Sequence, residues 1–361
     1  MASAATIARL AKARPIPPVI EARIHLSFAE QIALAFLAYV PLAAFVFHLA
    51  ARNLSVIMTL NALTFATLMG LRRNRQRAPW LAAAADLFPA VLILVAYRES
   101  GLLLTPDPSH HLDCLFIQWD RAMLHNQFVQ AALHAGAPWL QHYLEFAYLL
   151  CYPLVPLGVA AVYFASQRNV ARVVSSNAVD NVAPRHLSGH LPAGCRRYGG
   201  SIGQALRARH SGESAAATGQ HPMDDFWATV LLATLFCYAV YPFFPLTPPR
   251  VLFGDVPGPH VEPLLRKWNF WLLDHYSVQA CIFPSGHVAA VTAVALAVRK
   301  HAPRLGVLFL FLAASVAAAT FYGRYHYAAD AVAGAFVGFA AYLASQAIQH
   351  RFSNARPQFG A

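Results

Sequence analysis

Two histidines, His287 and His326, stand where their side chains suit nucleophilic and proton-transfer chemistry. His326 and Asp330 are four residues apart, which on a helix places them on one face, where the carboxylate can fix the tautomer of the imidazole and raise its basicity. An imidazole held in this way is a nucleophile or a base. His287 follows Pro284-Ser-Gly at the start of an apolar run, and a group that titrates near neutral pH suits a general acid. A helix-end histidine bonded to a neighbour is the structural alternative.

Possible ligands for an anion accompany these histidines. Ser285 is a candidate N-cap and Gly286 follows it, so the first backbone N–H groups of this helix would attract an anion. Arg250 follows two prolines that fix the chain, and a guanidinium can bind two phosphate oxygens at once. The alternative for Arg250 is a helix-end arginine that extends toward the membrane surface. Together these groups could bind an anion such as phosphate, whose negative charge must be neutralised in a transition state.

Three segments resemble the signature of the type 2 phosphatidic acid phosphatase superfamily of membrane lipid phosphatases and phosphotransferases. They are Pro248-Pro-Arg250, Pro284-Ser-Gly-His287, and His326 with Asp330. The wider context, residues 241–250 and 324–334, is more similar to the branch that contains the aureobasidin-resistance type inositol phosphorylceramide synthases. The resemblance covers about residues 226–348. It implies that His326 is the nucleophile, that His287 is the acid and that Asp330 supports His326.

The chain departs from the superfamily pattern at two basic positions. The pattern has a lysine six residues before an Arg-Pro pair and a Ser-Arg pair six residues before the histidine, whereas Phe243 and Ala319-Thr320 occupy these parts of the chain. Arg324 is the candidate replacement in the third segment, and Arg266 and Lys267 are further candidates. The missing cations favour the synthase-like branch.

The composition indicates a membrane protein. Of 361 residues, 58% are hydrophobic and 12% are charged, which is too apolar for a soluble domain. Several continuous apolar runs are long enough to cross about 30 Å of hydrocarbon as helices. The predicted fold class is therefore all-α, a polytopic bundle of about eight transmembrane helices. The predicted crossings are 27–49, 54–71, 80–97, 143–165, 226–244, 286–299, 304–321 and 328–348.

The loops between these crossings predict a domain order and an orientation. The domains are a cytoplasmic N-terminal segment 1–26, transmembrane helices 27–166, a flexible cytoplasmic insert 167–225, a catalytic phosphatase/phosphotransferase-like transmembrane region 226–348 and a cytoplasmic tail 349–361. Most of the 27 lysines and arginines then lie on the side of both termini, which the positive-inside rule assigns to the cytoplasm. The histidines would face the periplasm of a bacterial inner membrane. The net charge of +11 has this explanation, so no nucleic-acid partner is expected.

Residues 111–124 form an amphipathic pattern outside the crossings. Apolar side chains recur at three- and four-residue intervals, at Leu112, Leu115, Phe116, Trp119 and Met123, while Asp113, Gln118, Asp120 and Arg121 take the other face. The pattern predicts an interfacial helix on the outer membrane surface. A soluble helix packed on the bundle is the alternative.

Other acidic and histidine residues are assigned structural roles. His110, His111 and Asp113 have metal-ligand chemistry, but no further cluster completes a four-ligand site, so no metal and no cofactor is expected. Glu30, Asp86 and Glu145 fall in or near crossings and should be satisfied within the bundle. Glu145 and Tyr148 are candidates to line a headgroup pocket.

The sequence thus predicts a metal-independent membrane enzyme that cleaves a lipid phosphate ester or anhydride through phosphohistidine. Water would release the phosphoryl group in a phosphatase, and a polyol or lipid alcohol acceptor would take it in a phosphotransferase. An inositol phosphorylceramide synthase-like transfer of a phospho-headgroup is one alternative. The other is a non-enzymatic transporter or lipid-binding protein, for which repeat symmetry or interrupted mid-membrane helices would be expected.

Overall fold

The computed structural model describes residues 26–104, 111–125, 138–180, 222–253, 264–278 and 280–354. The predictions for residues 1–25, for the centre of the insert at 181–221 and for the end of the tail at 355–361 lie outside the described residues. The described residues form twelve α-helices: α1 Phe28–Val46, α2 Ala51–Asn74, α3 Pro79–Leu102, α4 His111–Leu124, α5 Pro138–Leu149, α6 Leu154–Asp180, α7 Pro222–Val240, α8 Pro249–Leu252, α9 Leu264–Tyr276, α10 Gly286–His301, α11 Pro303–Tyr322 and α12 Ala328–Asn354. Two short strands, β1 Pro245–Leu246 and β2 Cys281–Ile282, pair antiparallel.

The fold is an all-α polytopic bundle, as the composition predicted. Among the described residues, six helices are long and apolar enough to cross a membrane: α1, α2, α3, α7 with the turn that follows it, α11 and α12. A seventh candidate is α5 with the first part of α6, which meet at a bend of 69°. The remaining predicted crossing, 286–299, corresponds to α10, which has 16 residues, fewer than the roughly 20 that a crossing helix needs. The count of eight therefore stays a prediction.

The bend between α5 and α6 replaces the single crossing predicted at 143–165. Residues 150–153 form turns between the two helices. Pro153 has no backbone N–H to continue the helical ladder, so a break here has a simple cause. At its other end α6 continues to Asp180, although the sequence predicted the insert from residue 167.

Hydrogen bonds at both ends of α10 hold it to α7 and to the turn that directly follows α7. The Gly286 N–H donates to the Tyr241 hydroxyl at 3.0 Å, and His301 Nε2 lies 2.7 Å from Asp225 Oδ2. The two helices therefore run antiparallel side by side. Helix α11 begins directly after Ala302 and packs against α10, so it returns the chain to the end of the bundle where α10 begins. This hairpin brings the residues before α10 and the residues before α12 to the same end of the bundle.

Helix α12 approaches α10 closely because glycines lie at their contact. A Cβ atom added at Gly334 would lie 2.5 Å from the carbonyl oxygen of Ser285, and one added at Gly338 would lie 2.6 Å from that of Ala289. Small residues let helix backbones approach in this way. The Ser285 N–H donates to the Asp330 carbonyl at 3.3 Å, so the first turn of α12 is fixed beside the start of α10.

The three carboxylates that the sequence placed in or near crossings are each paired with an arginine. Glu30 contacts Arg72, Asp86 lies 2.6 Å from Arg75, and Glu145 lies 2.7 Å from Arg266. Pairing removes much of the free energy that an isolated charge would cost in an apolar environment.

Helix α4 packs against the end of the bundle where α10 and α12 begin. Leu115, Trp119 and Met123 on its outer face are exposed, whereas Phe116 is buried. Asp113, which the sequence placed on the polar face, is buried as well, because it bonds to a neighbouring loop.

Candidate active site

His326 and Asp330 form a buried dyad. His326 Nδ1 lies 2.5 Å from Asp330 Oδ2, and the side-chain exposures are 9% and 0%. Asp330 is in the first turn of α12, but His326 precedes that helix. The His326 N–H donates to the Thr320 carbonyl at 3.0 Å, and Arg324 has a φ of 60°. A tight turn after α11, rather than the spacing along one helix, therefore brings the imidazole to the carboxylate.

His287 faces this dyad from the first turn of α10. The rings of His287 and His326 have centroids 5.6 Å apart and planes at 65°. Ser285 is the N-cap of α10, as predicted, and its hydroxyl accepts from the Val288 N–H at 3.5 Å. No described residue forms a hydrogen bond with the His287 imidazole. That ring can therefore exchange a proton with a molecule bound beside His326.

A small cavity that opens to the outside lies between the two histidines and the neighbouring helices. Its walls carry two imidazoles, four phenols and one guanidinium. The lining residues are Tyr97, Tyr148, Tyr241, Arg250, Leu273, Ser277, Val278, Ala280, His287, Tyr325 and His326. Hydroxyls and positive charge in one cavity suit an anionic group that carries further oxygen atoms.

Arg250 lines the cavity from α8 and is half-buried. Within the described parts of the chain, its guanidinium has no hydrogen-bond or ion-pair partner. A cation in this position can bind phosphate oxygens.

Three residues predicted to bind phosphate have other contacts. Ser285 is fully buried as the N-cap of α10, and the Gly286 N–H is bonded to Tyr241. Arg324 donates to the Phe253 carbonyl at 3.4 Å. None of the three lines the cavity.

A buried polar network supports the wall of the cavity. Glu145 accepts from Arg266 at 2.7 Å and from the Tyr325 hydroxyl at 2.5 Å, and Asn269 donates to the same carboxylate at 2.9 Å. Tyr325 in turn stacks on Tyr148, whose ring lies 6.2 Å from that of His287. Arg266 is therefore paired with Glu145. Lys267, the other candidate for the missing basic residue, is exposed.

Sequence reasoning missed three of the four phenols of the cavity, those of Tyr97, Tyr241 and Tyr325. Of these three, only Tyr325 could have been found from the sequence, since it directly precedes His326. The position of Tyr97 depends on how α3 packs, and its hydroxyl accepts from the Val278 N–H at 2.8 Å.

Residues 215–344 match the family model of the PAP2 superfamily. The match supports the superfamily that the three motifs resemble, and with it a phosphatase-type enzyme. The PAP2 region contains Arg250, His287, His326 and Asp330, whereas Tyr97 and Tyr148 come from helices before it. A search of curated proteins and a search of solved structures gave no match.

A metal site was not expected from the sequence. In the parts of the chain that the structure describes, no three His, Cys, Asp or Glu side chains are grouped so that they could hold a metal ion. His110 and the side chain of His111 lie outside the described residues.

Proposed function

We propose that the chain is an integral membrane enzyme that cleaves a lipid phosphate ester or anhydride through a phosphohistidine on His326. The observation that carries the proposal is the 2.5 Å contact between His326 Nδ1 and Asp330, with the His287 ring 5.6 Å away. A nucleophile oriented by a carboxylate and opposed by an acid is the arrangement that covalent phosphoryl transfer needs. The PAP2 match supports the same class of reaction.

The reaction has two steps. In the first, His326 Nε2 attacks phosphorus, the bond from phosphorus to the leaving oxygen breaks, and protonated His287 gives its proton to that oxygen. Asp330 stabilises the positive charge that develops on the imidazole. In the second, neutral His287 removes a proton from water or an alcohol, whose oxygen attacks phosphorus as the N–P bond breaks. Both histidines then return to their starting states.

Arg250 is assigned to the phosphate oxygens. It lines the cavity and has no charge partner among the described residues, so a bound phosphate would supply one. Charge neutralisation by a guanidinium stabilises the phosphoryl-transfer transition state. Arg324, Ser285 and Gly286 would act less directly, since none of the three lines the cavity.

The acceptor in the second step decides between a phosphatase and a phosphotransferase. The hydroxyls of Tyr97, Tyr148 and Tyr241 can bond those of a polyol, which favours transfer, whereas the Tyr325 hydroxyl already donates to Glu145. The resemblance of residues 241–250 and 324–334 to the inositol phosphorylceramide synthase-like branch supports the same outcome. Hydrolysis needs only water at the same position.

The enzyme would act at the extracytoplasmic face, with both termini in the cytoplasm. The distribution of lysine and arginine among the loops supports this orientation. Lys267 is exposed on α9, the helix that carries the cavity residue Leu273. The native cysteines, of which Cys114 is free and exposed, are first replaced by serine. In whole bacterial cells a Lys267→Cys variant of this cysteine-free form should react with a membrane-impermeant thiol reagent, and labelling only after lysis would show the opposite orientation.

The test is turnover by the purified full-length chain in lipid nanodiscs. Candidate lipid phosphates and pyrophosphates are supplied with and without a polyol such as inositol, and free phosphate is compared with new phosphodiester. We expect turnover that survives EDTA and is lost in His326→Ala. His275→Ala is the matched control, because His275 is an exposed histidine on α9. Full turnover by His326→Ala would exclude the phosphohistidine, and no turnover of any lipid phosphate by the wild type would favour the transporter or lipid-binding alternative.

A further inference from the structure

Helix α4 contacts the loop that carries Arg250. Asp113 Oδ1 accepts from the Thr247 N–H at 2.7 Å, three residues before Arg250. The Tyr327 hydroxyl donates to the Thr247 carbonyl at 3.1 Å and also reaches Asp113 at 3.5 Å. One carboxylate of α4 therefore links the loop before Arg250 to the residue that follows His326.

The same helix caps α12, which carries Asp330. Asp120 Oδ2 accepts from the Ala328 N–H at 3.0 Å, and Oδ1 accepts from the Ala329 N–H at 3.1 Å. The first N–H groups of a helix have no partner within it, so a carboxylate at this place satisfies two of them and complements the helix dipole. The capped turn lies between His326 and Asp330, the two members of the dyad.

Helix α4 also touches the loop before His287. The ring of Phe116 is fully buried, with its centroid 4.9 Å from that of Phe283 and 5.7 Å from that of Tyr327. Phe283 precedes Pro284-Ser-Gly-His287. A single helix thus contacts all three segments that carry the candidate catalytic residues.

We propose that α4 is the positioning element of the active site and that Asp113 and Asp120 hold the Arg250 loop and the His326–Asp330 dyad in their reactive arrangement. This inference rests on the function proposed above. Asp120 does not touch substrate, and it acts through the two backbone N–H groups that fix the first turn of α12. A small displacement of a catalytic group is enough to slow a reaction about 100-fold.

The test compares Asp120→Asn and Asp120→Leu with Gln118→Ala, a control on the exposed face of the same helix. Asparagine keeps one acceptor oxygen and leucine keeps none. We expect kcat to fall about 10-fold in Asp120→Asn and about 100-fold in Asp120→Leu, with KM changed less than threefold. Asp113→Asn weakens the contact between α4 and the loop that carries Arg250. Because Arg250 is assigned to substrate binding, this variant should instead raise KM.

Hydrogen–deuterium exchange gives a second measurement that needs no substrate. Amide exchange in peptides covering residues 325–332 should become faster in both Asp120 variants and stay unchanged in Gln118→Ala. Unchanged exchange in Asp120→Leu, or a kcat within twofold of the wild type, would overturn the positioning role. If the wild type turns over no lipid phosphate, the proposed function fails, and the exchange measurement still decides whether Asp120 holds this turn.

Discussion

The ring of Tyr148 in α5 stacks on the ring of Tyr325 in the turn before α12, with centroids 3.8 Å apart and planes at 19°. Both rings line the cavity, and the Tyr325 hydroxyl also donates to Glu145, which is paired with Arg266. The wall of the cavity is therefore fixed by an ion pair as well as by packing.

Glu145→Gln should destabilise the protein strongly. The variant leaves the Arg266 guanidinium buried without a countercharge, and breaking a buried pair typically costs about 3–5 kcal/mol. The free energy of unfolding in detergent measures the loss. The control is Asp86→Asn, whose partner Arg75 is half exposed, so its loss should be about 1 kcal/mol or less. A double variant, Glu145→Gln with Arg266→Gln, should recover part of the loss, and strictly additive losses would show that the two charges do not interact.

Asp330→Asn should preserve the fold and lower kcat by about 10³- to 10⁴-fold. An amide can turn its NH₂ group toward His326 Nδ1 and so favour the wrong tautomer, which has an effect of this size in a comparable triad. Single-turnover kinetics on the best lipid phosphate measure it, with Asp86→Asn again as the control. A loss below tenfold would mean that Asp330 does not orient His326.

Arg250→Lys should weaken phosphate binding although the charge is retained. Lysine cannot form the paired N–H contacts of a guanidinium, so Arg and Lys are not equivalent at such a site. We expect the inhibition constant of inorganic phosphate to rise about tenfold, since one lost charge-assisted hydrogen bond is worth roughly 1.5 kcal/mol or more. Arg73→Lys, at an exposed arginine of α2, is the control. Equal inhibition of Arg250→Lys and wild type would remove Arg250 from the phosphate site.

The outer face of α4 should matter only when the substrate is in a bilayer. Leu115 and Met123 are exposed there, and a double change to glutamine removes apolar surface that would bind the membrane interface. Turnover of lipid in vesicles should fall severalfold, while turnover of a short-chain, water-soluble phosphate should not change. Gln118→Ala is the control. An equal fall for both substrates would assign this face to folding and not to the membrane.

The sequence alone was sufficient to predict an all-α membrane protein and an enzyme of the phosphatase type. Continuous apolar runs predict membrane helices because each must satisfy its own backbone hydrogen bonds in lipid. The types of His287, His326, Asp330 and Arg250 predict phosphoryl transfer because few side chains can supply a nucleophile, an acid and an anion site.

The tertiary structure decided which of these residues meet and what surrounds them. His287 approaches His326 because the hairpin of α10 and α11 returns the chain to the same end of the bundle. The His326–Asp330 dyad depends on a turn that residue spacing does not reveal. The cap of α12 is Asp120, which comes from a helix distant in the sequence. Ser285 and Gly286 do not line the cavity, because the Ser285 hydroxyl caps α10 and the Gly286 N–H is bonded to Tyr241. These contacts join residues that are far apart in the chain, and the packing of the helices determines which of them form. Local periodicity in the sequence determines only where the helices form.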